Sequence, residues 1–272
     1  MLLKPVFDSK NSKIPVVAAC ITPDSFSGKA VDEVKKMVVY YGNKEKSIGD
    51  LFEVSDDGKD TITIAGSVPT VKDIGKGMTT GEITIQGDAG MHLGAQMKGG
   101  KIVVQGNVSD WTGAEMKGGE IVIHGDAGNG LGAAYRGSKS GMNKGLIVVK
   151  GNAGNECGTL MKKGVIVIEG NCGQFAGCSM KGGTIFCYGL TGERTGALME
   201  RGSIVLYNSL EFLPTFTYNA TYNPTWLRVF LLDLKKKGHD IPIKEEHIQG
   251  LYKRYNGDLS ELGKGEIFIF TG

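Results

Sequence analysis

The stretch MKGGKIVVQGNVSDWTGAEMKGGEIVIHGDAGNGLGAAYRGSKSGMNKG, residues 97–145, sets the fold because it writes one line twice and begins it a third time. From Met97 and again from Met116 the order is Met, two variable residues, Gly, two alternating aliphatic residues, and then three spaced glycine places, all filled in the second line and two in the first, where Ser109 takes the middle place. On either side the same line opens at Met78, Met142, Met161 and Met180. A further one opens at Met199 with Gly202, Ile204 and Leu206 and loses its glycines at Asn208; an earlier, less regular one shows at Ile62, Ile64, Gly66 and Gly75. The starts lie 19 residues apart, except that one line carries seven extra residues around 136–141. Units this short and this constant are stacked rungs, each unable to bury its own apolar face alone.

The alternation in Glu82-Ile83-Thr84-Ile85-Gln86 has the period of a strand. Glycine recurs too often for a helix, where each would cost about 1 kcal/mol relative to alanine, and it suits corners that need positive φ or close backbone approach. The pattern therefore predicts a mainly β protein, a coil of single parallel strands stacked roughly 4.8 Å apart. No leucine ladder supports a leucine-rich repeat, and 19 is not a multiple of the six residues of a hexapeptide coil. Down the columns, Ile83, Ile102, Ile121, Ile147, Ile166, Ile185 and Ile204 never vary, and Ile85, Val104, Ile123, Val149, Ile168, Cys187 and Leu206 stay apolar. These two columns, with the stacked methionines and the small residues Ala95, Ala114, Ala133, Thr159, Cys178 and Ala197, predict a filled interior and not a tunnel.

Three segments follow: a cap over 1–57, the coil over 58–212, and a C-terminal extension over 213–272. In the cap, a helix is expected over 28–37, followed by the apolar run 38–41. In the extension, residues 214–222 read as turn-like, and PTWLRVFLLDLKKKG reads as a helix started by Pro224 and stopped by Gly238. Its apolar face is taken as Trp226, Val229, Phe230 and Leu234. A second helix is expected over 244–255 and a final strand over 266–270. The outward stripe Thr84, Val103, Val122, Val148, Val167, Phe186 and Val205 needs a cover, which the C-terminal helices are expected to supply, with a partner subunit as the alternative.

A net charge of +2 and a pI near 8.1 give no reason to expect nucleic acid. The 43 glycines fall at fixed, non-triplet offsets, which excludes collagen. No apolar run approaches the roughly 20 residues of a membrane span, and the start MLLKPVFDSK does not resemble a signal peptide; the cytoplasm is the expected location. Of five cysteines, Cys157 and Cys172 replace small apolar residues in inward columns and are read as buried thiols.

Little in the sequence carries chemistry. His92, His124, His239 and His247 share no ligand spacing, and the recurring glycines turn corners with no helix behind them to cradle a phosphate. No catalytic residue and no metal ligand is assigned. The column Asp88, Asn107, Asp126, Asn152 and Asn171 is read as turn-forming, with bonds to nearby backbone. Lys98, Lys117, Lys162 and Lys181 stack in one column, flanked by Lys144, Lys163 and Arg201. Like charges about 5 Å apart repel, so the strip is either a solvated edge or a docking site for an acidic partner or an anionic chain-like ligand. Trp111 and Phe175, in one outward column with His92 and Arg194, form a candidate contact patch, since aromatics and arginine are enriched at interface cores.

The repeated G-x-x-G-x-x-x-G rung resembles the domain that closes the large subunit of glutamate synthase. With its cap and C-terminal helices, the chain is still more similar to the family of C subunits of formylmethanofuran dehydrogenase. That resemblance covers essentially the whole chain and is carried by lines such as the one quoted at the start. It implies a right-handed parallel β-helix in a large cytoplasmic complex of methanogenic archaea, which reduces CO2 and attaches it to methanofuran as a formyl group, the first step of methanogenesis from CO2. It also implies partners that hold the cofactors: a tungsten- or molybdenum-pterin subunit, an amidohydrolase-like subunit with a binuclear metal site, and ferredoxin-like iron–sulfur subunits. The C subunit resembles none of these catalysts, so a structural, scaffold role is expected. Two alternatives stay open: the C subunit of a formyltransferase/hydrolase complex, and a binding module whose lysine strip holds the anionic tail of methanofuran.

Overall fold

The computed structural model describes residues 1–9, 12–58, 61–239 and 241–272. The chain opens with β1 (Leu2–Pro5), β2 (Val16–Val17), α1 (Pro23–Phe26), α2 (Val31–Lys35), β3 (Val38–Tyr41), β4 (Lys44–Ser47), α3 (Ile48–Leu51) and β5 (Phe52–Ser55). The repeat contributes β6 (Thr61–Ile64), β7 (Val71–Lys72), β8 (Glu82–Ile85), β9 (Lys101–Val104), β10 (Lys117–Ile123), β11 (Lys144–Val149), β12 (Val165–Ile168), β13 (Lys181–Cys187) and β14 (Arg201–Leu206). The chain closes with β15 (Thr217–Tyr222), α4 (Thr225–Lys236), α5 (Glu245–Gln249), β16 (Tyr252–Gly257) and β17 (Lys264–Phe270). The cap helix is shorter than the expected 28–37, because the side chain of Glu33 accepts the Ala30 N–H at 2.8 Å and starts α2 there.

Strands β6 and β8 to β14 lie side by side in parallel, each paired with its counterpart one line on, so Ile83 sits beside Ile102 and Ile102 beside Ile121. They form the centre of a 13-stranded sheet in the order β15-β16-β17-β14-β13-β12-β11-β10-β9-β8-β6-β1-β5. A second parallel line of single bridges joins Val68, Ala89, Val108, Ala127, Ala153, Cys172 and Thr191 around the coil. Every isoleucine of the invariant column is fully buried, and each such side chain contributes about 1.5–3 kcal/mol. The methionine column from Met78 to Met199 is buried with it.

The invariance of the isoleucines has a partner. Gly94 has φ +60°, and a Cβ there would stand 2.6 Å from Ile121 Cδ1. Gly113 meets Ile147 Cδ1 in the same way at 2.5 Å, and Gly132 meets Ile166 Cδ1 at 2.7 Å. Isoleucine methyls fill the space that glycine leaves, so neither column tolerates an exception.

The Asx column behaves differently from the turn role read in the sequence. None of its members is left-handed; each side-chain oxygen instead accepts a backbone N–H from the following rung. Asp88 Oδ1 accepts from Asn107 N at 2.8 Å, Asn107 Oδ1 from Asp126 N at 2.8 Å, Asp126 Oδ1 from Asn152 N at 2.6 Å and Asn152 Oδ1 from Asn171 N at 2.9 Å. Asp110, Asn129 and Asn155 repeat the device at the next corner, accepting from Asn129, Asn155 and Gln174 N–H groups. The physical reason is parallel stacking: the corner leaves an N–H directly above each short side chain.

The C-terminal extension departs from the sequence reading at three points. Residues 217–222 form β15, because they pair antiparallel with β16. The second helix stops at Gln249, and residues 252–257 alternate as a strand against β17. The buried face of α4 is Leu227, Leu231 and Leu234; of the expected face Leu234 is buried and Phe230 packs on the sheet, whereas Val229 is 60% and Trp226 39% exposed. The sequence carries two apolar frames on this helix, rotated by about one residue, and packing chooses the leucine frame because leucine reaches the sheet.

Helix α4 runs down the stack. Near its start Trp226 packs on Phe268 of β17, midway Phe230 stacks on Phe186 of β13, and just past its end His239 meets Glu120 of β10 at 3.4 Å. Val148, Val167, Phe186 and Val205 are thereby buried. The expected cover is only partial: Thr84, Val103 and Val122 stay half-exposed beyond the end of the helix.

Candidate functional site

Two surface columns carry the residues singled out in the sequence. The lysine strip follows directly after the buried methionines. Lys98, Lys117, Lys162 and Lys181 each donate a backbone N–H to the methionine carbonyl one rung earlier, at 2.7–2.8 Å. Asn143 and Glu200 make the same bond at 2.7 and 2.8 Å, so they stand in the same column. Asn143 interrupts the charge in the middle, and Glu200 closes it by pairing with Lys181 at 3.4 Å. Lys144 lies beside Lys117 and Arg201 beside Lys181 in the strand register, and Lys163 is exposed nearby. The result is a strip of cations over six rungs, from Lys98 to Arg201, anchored by its backbone.

The second column turns the corner in left-handed backbone. His92, Trp111, Phe175 and Arg194 have φ between 59° and 64°, and Asp73 and Glu156 share the conformation. Gly130 and Glu156 stand between Trp111 and Phe175, so the patch divides in two. At one end Arg194 lies 5.3 Å over the Phe175 ring. At the other, the Trp111 ring spreads across Gly130, where a Cβ would stand 3.0 Å from Cε3.

Sequence reading missed the residue that completes this second cluster. Tyr135 opens the seven-residue insertion and folds back over earlier rungs. Its ring packs on Trp111 with centroids 5.4 Å apart, and its hydroxyl meets His92 Nδ1 at 3.0 Å. Its backbone N–H donates to Glu115 Oε1 at 3.4 Å, while Gln96 Nε2 donates to Glu115 Oε2 at 3.0 Å. Burial lowers the His92 pKa and pushes Tyr135 up to about 12, so both are neutral at pH 7 and the hydroxyl and Nδ1 share one hydrogen bond whose direction the imidazole tautomer sets. Burial would raise Glu115, but bonds from Gln96, Ser138 and the Tyr135 N–H outweigh it and hold the carboxyl below its usual range. An insertion that begins with an aromatic residue was the available signal, yet nothing in its spacing pointed back across two rungs.

The remaining candidates are interior or scattered. Cys157, Cys172 and Cys187 are buried free thiols, while Cys178 and Cys20 are half-buried. A bond with Cys157, together with burial, raises Cys172, and burial pushes Cys187 up to about 12. His124 points to solvent. Among the described residues no group of three or more His, Cys, Asp or Glu could hold a metal ion, and no helix is long and apolar enough to cross a membrane.

Both columns fall inside residues 43–222, which match the family model described as GXGXG motif. The chain belongs to the GXGXG family. Among the relatives of this GXGXG chain, the C subunit of tungsten-containing formylmethanofuran dehydrogenase 2 from Methanothermobacter marburgensis is 42% identical over 88 residues, 30% of this chain and 33% of the relative. The C subunit of molybdenum-containing formylmethanofuran dehydrogenase 1 from the same organism is 42% identical over 84 residues, 30% of this chain and 21% of the relative. The matched segment thus spans a third or less of these curated relatives. A solved structure extends the likeness to the full length: a chain in the formyltransferase/hydrolase complex of Methylorubrum extorquens, crystallised with methylofuran. It has a TM-score of 0.91 and 32% identity, with all of both chains covered.

Proposed function

We propose that this chain is a non-catalytic structural component, the C subunit of a formylmethanofuran dehydrogenase complex that reduces CO2 to the formyl group of formylmethanofuran. The full-length structural likeness to a chain of a multi-protein formyl-handling complex carries this reading, and the relatives named as C subunits support it. In this reading the coil is a right-handed β-helix over 58–212, with a cap over 1–57 and an extension over 213–272, and it works in the cytoplasm. The pterin–metal, iron–sulfur and binuclear metal chemistry belongs to partner subunits; this chain gives them a rigid frame on which to sit. Rigidity is what the fold supplies, since side-chain ladders and the isoleucine–glycine interlock fix every rung against the next.

A second reading replaces the redox partners with those of a formyltransferase/hydrolase complex, and the complex in which the full-length likeness was found favours it. In either complex the strip of Lys98, Lys117, Lys144, Lys162, Lys163, Lys181 and Arg201 is a docking site for an anionic chain, such as the tail of a methanofuran-type carrier. The columns holding His92, Trp111, Phe175 and Arg194 are partner contacts.

Native purification of the tagged chain from its own cells, with mass spectrometry and metal analysis, tests the reading. Recovery with pterin–metal and ferredoxin-like subunits is the expected result. Recovery with an amidohydrolase-like subunit and a formyltransferase alone would select the second complex, and a solitary, metal-free chain would overturn both. Charge reversal at Lys98, Lys117, Lys162 and Lys181 is expected to raise the KM for the carrier; an unchanged KM in an intact complex would remove the strip from the proposal.

A further inference from the structure

The coil breaks its 19-residue period once, and the break is a surface loop held by several contacts to earlier and later rungs. Residues 135–141 leave the corner after Ala134 and return at Met142, whose N–H resumes the interior pattern by donating to Gly132 O at 2.9 Å. The insertion is held at its base by Gly141 N donating to Leu160 O at 2.9 Å and closed on itself by Ser138 N donating to Tyr135 O at 2.9 Å. Tyr135 adds the ring contact with Trp111, the hydroxyl contact with His92 and the backbone bond to Glu115. Three separate rungs therefore contribute to fixing one loop.

Such bracing is not needed to close the coil, because every other line turns the same corner without it. Ordering a free seven-residue loop costs backbone entropy at every residue. Meeting that cost during folding leaves a rigid feature that can bind without further loss. In repeat proteins an insertion confined to one unit marks the binding face. What the loop presents is cationic: Arg136 and Lys139 are exposed, and among the described residues neither makes an ion pair. The chain returns from the insertion directly into Asn143 and Lys144, so the loop is joined in sequence to the lysine strip.

We propose that residues 135–141 form a preorganised docking knob for an acidic surface of a partner protein, with Arg136 and Lys139 as its contacts and Tyr135, His92 and Trp111 as its brace. The charge complementarity selects the partner's chemistry, and the brace selects a fixed geometry over a fly-casting tail. This inference rests on the reading of the chain as one subunit of a complex.

The test uses the complex purified through the full-length chain. A photo-crosslinking residue at Lys139 (Lys139→p-benzoylphenylalanine) should give an adduct that maps to a cluster of Asp and Glu on one stoichiometric partner. Arg136→Glu with Lys139→Glu should weaken association about tenfold and flatten its salt dependence, with the melting temperature of the isolated chain unchanged. Tyr135→Phe should speed hydrogen exchange over 135–141 and weaken association a few-fold, again without a change in melting. An intact complex with no adduct, an adduct to nucleic acid or to a surface without carboxylates, or unchanged affinity in the double reversal overturns the knob and leaves the subunit reading standing. Absence of any partner on the unaltered chain overturns both.

Discussion

One outward stripe of this coil exists in two conditions. Over β11 to β14 its side chains lie dry beneath Leu227, Leu231 and Leu234; over β8 to β10 the same register of the same strand leaves Thr84, Val103 and Val122 half-exposed. The backbone does not distinguish the halves, because both pair in parallel without a shift across the stripe. Length does. A helix of 12 residues reaches about 18 Å at 1.5 Å per residue, and the steps from β17 down to β11 add up to about 19 Å at the usual strand spacing. The helix runs out where cover ends, and the side chains follow: the covered half carries Phe186, the open half begins with Thr84.

Lysine placed in the two halves should separate them most sharply. Val167→Lys buries an unpaired charge under α4 and is expected to cost about 3–5 kcal/mol, whereas Val103→Lys should stay within about 0.5 kcal/mol. Equal shifts in thermal melting would mean that the halves do not differ in solution. Next in size, Leu231→Ala should cost about 2–4 kcal/mol by opening a cavity over the covered half. Val229→Ala, one face round the same helix, should be nearly silent in the same melt. A smaller effect should ignore the division altogether. The Asx ladder runs under both halves, so Asn107→Ala and Asn171→Ala should each cost about 1 kcal/mol, and a clear inequality between them in urea titrations would show that cover strengthens the ladder.

The smallest expected effect is a pH dependence on the open half. His92 has a lowered pKa because burial disfavours its cation. A lowered histidine is neutral in the folded chain while the unfolded chain takes up a proton below about pH 6.5. Its contribution is therefore complete above that pH and is lost as pH falls toward the folded-state value. Hydrogen exchange over 135–141 should quicken as pH drops below about 6.5, once intrinsic exchange is corrected for, and His92→Gln should remove that trend.

Most of the coil was legible because its physics is periodic. A column of isoleucine without exception can only be an interior, and the pairing of Ile83 with Ile102 realises that reading. The extension was less legible, since it is held by contacts with no period. Residues 252–257 contain both a helical and an alternating frame, and only the free edge of β17 decides between them. The face of α4 was read only in part for the same reason: Phe230 and Leu234 pack on the sheet as expected, but Leu227 and Leu231 are buried where Val229 was expected. In the candidate site the lysine column was visible as spacing, while the Tyr135–His92 bond spans 43 positions of sequence and leaves no trace in any window. The side-chain oxygens of the Asx column pointed to a turn because a local bond is the default expectation; a bond to the next rung requires knowing that a next rung lies above.

That last bond has a direction. In both ladders the acceptor sits on the earlier rung and the donor N–H on the later one, from Asp88 through to Leu190 and from Asp110 through to Gln174. A chain emerging from the ribosome therefore finds each acceptor already laid down when its donor arrives. For these side-chain bonds synthesis order and assembly order coincide, whereas the neighbouring backbone N–H groups run the other way: Ala89 N donates to Asn107 O at 2.8 Å and has its acceptor only once the next rung is made.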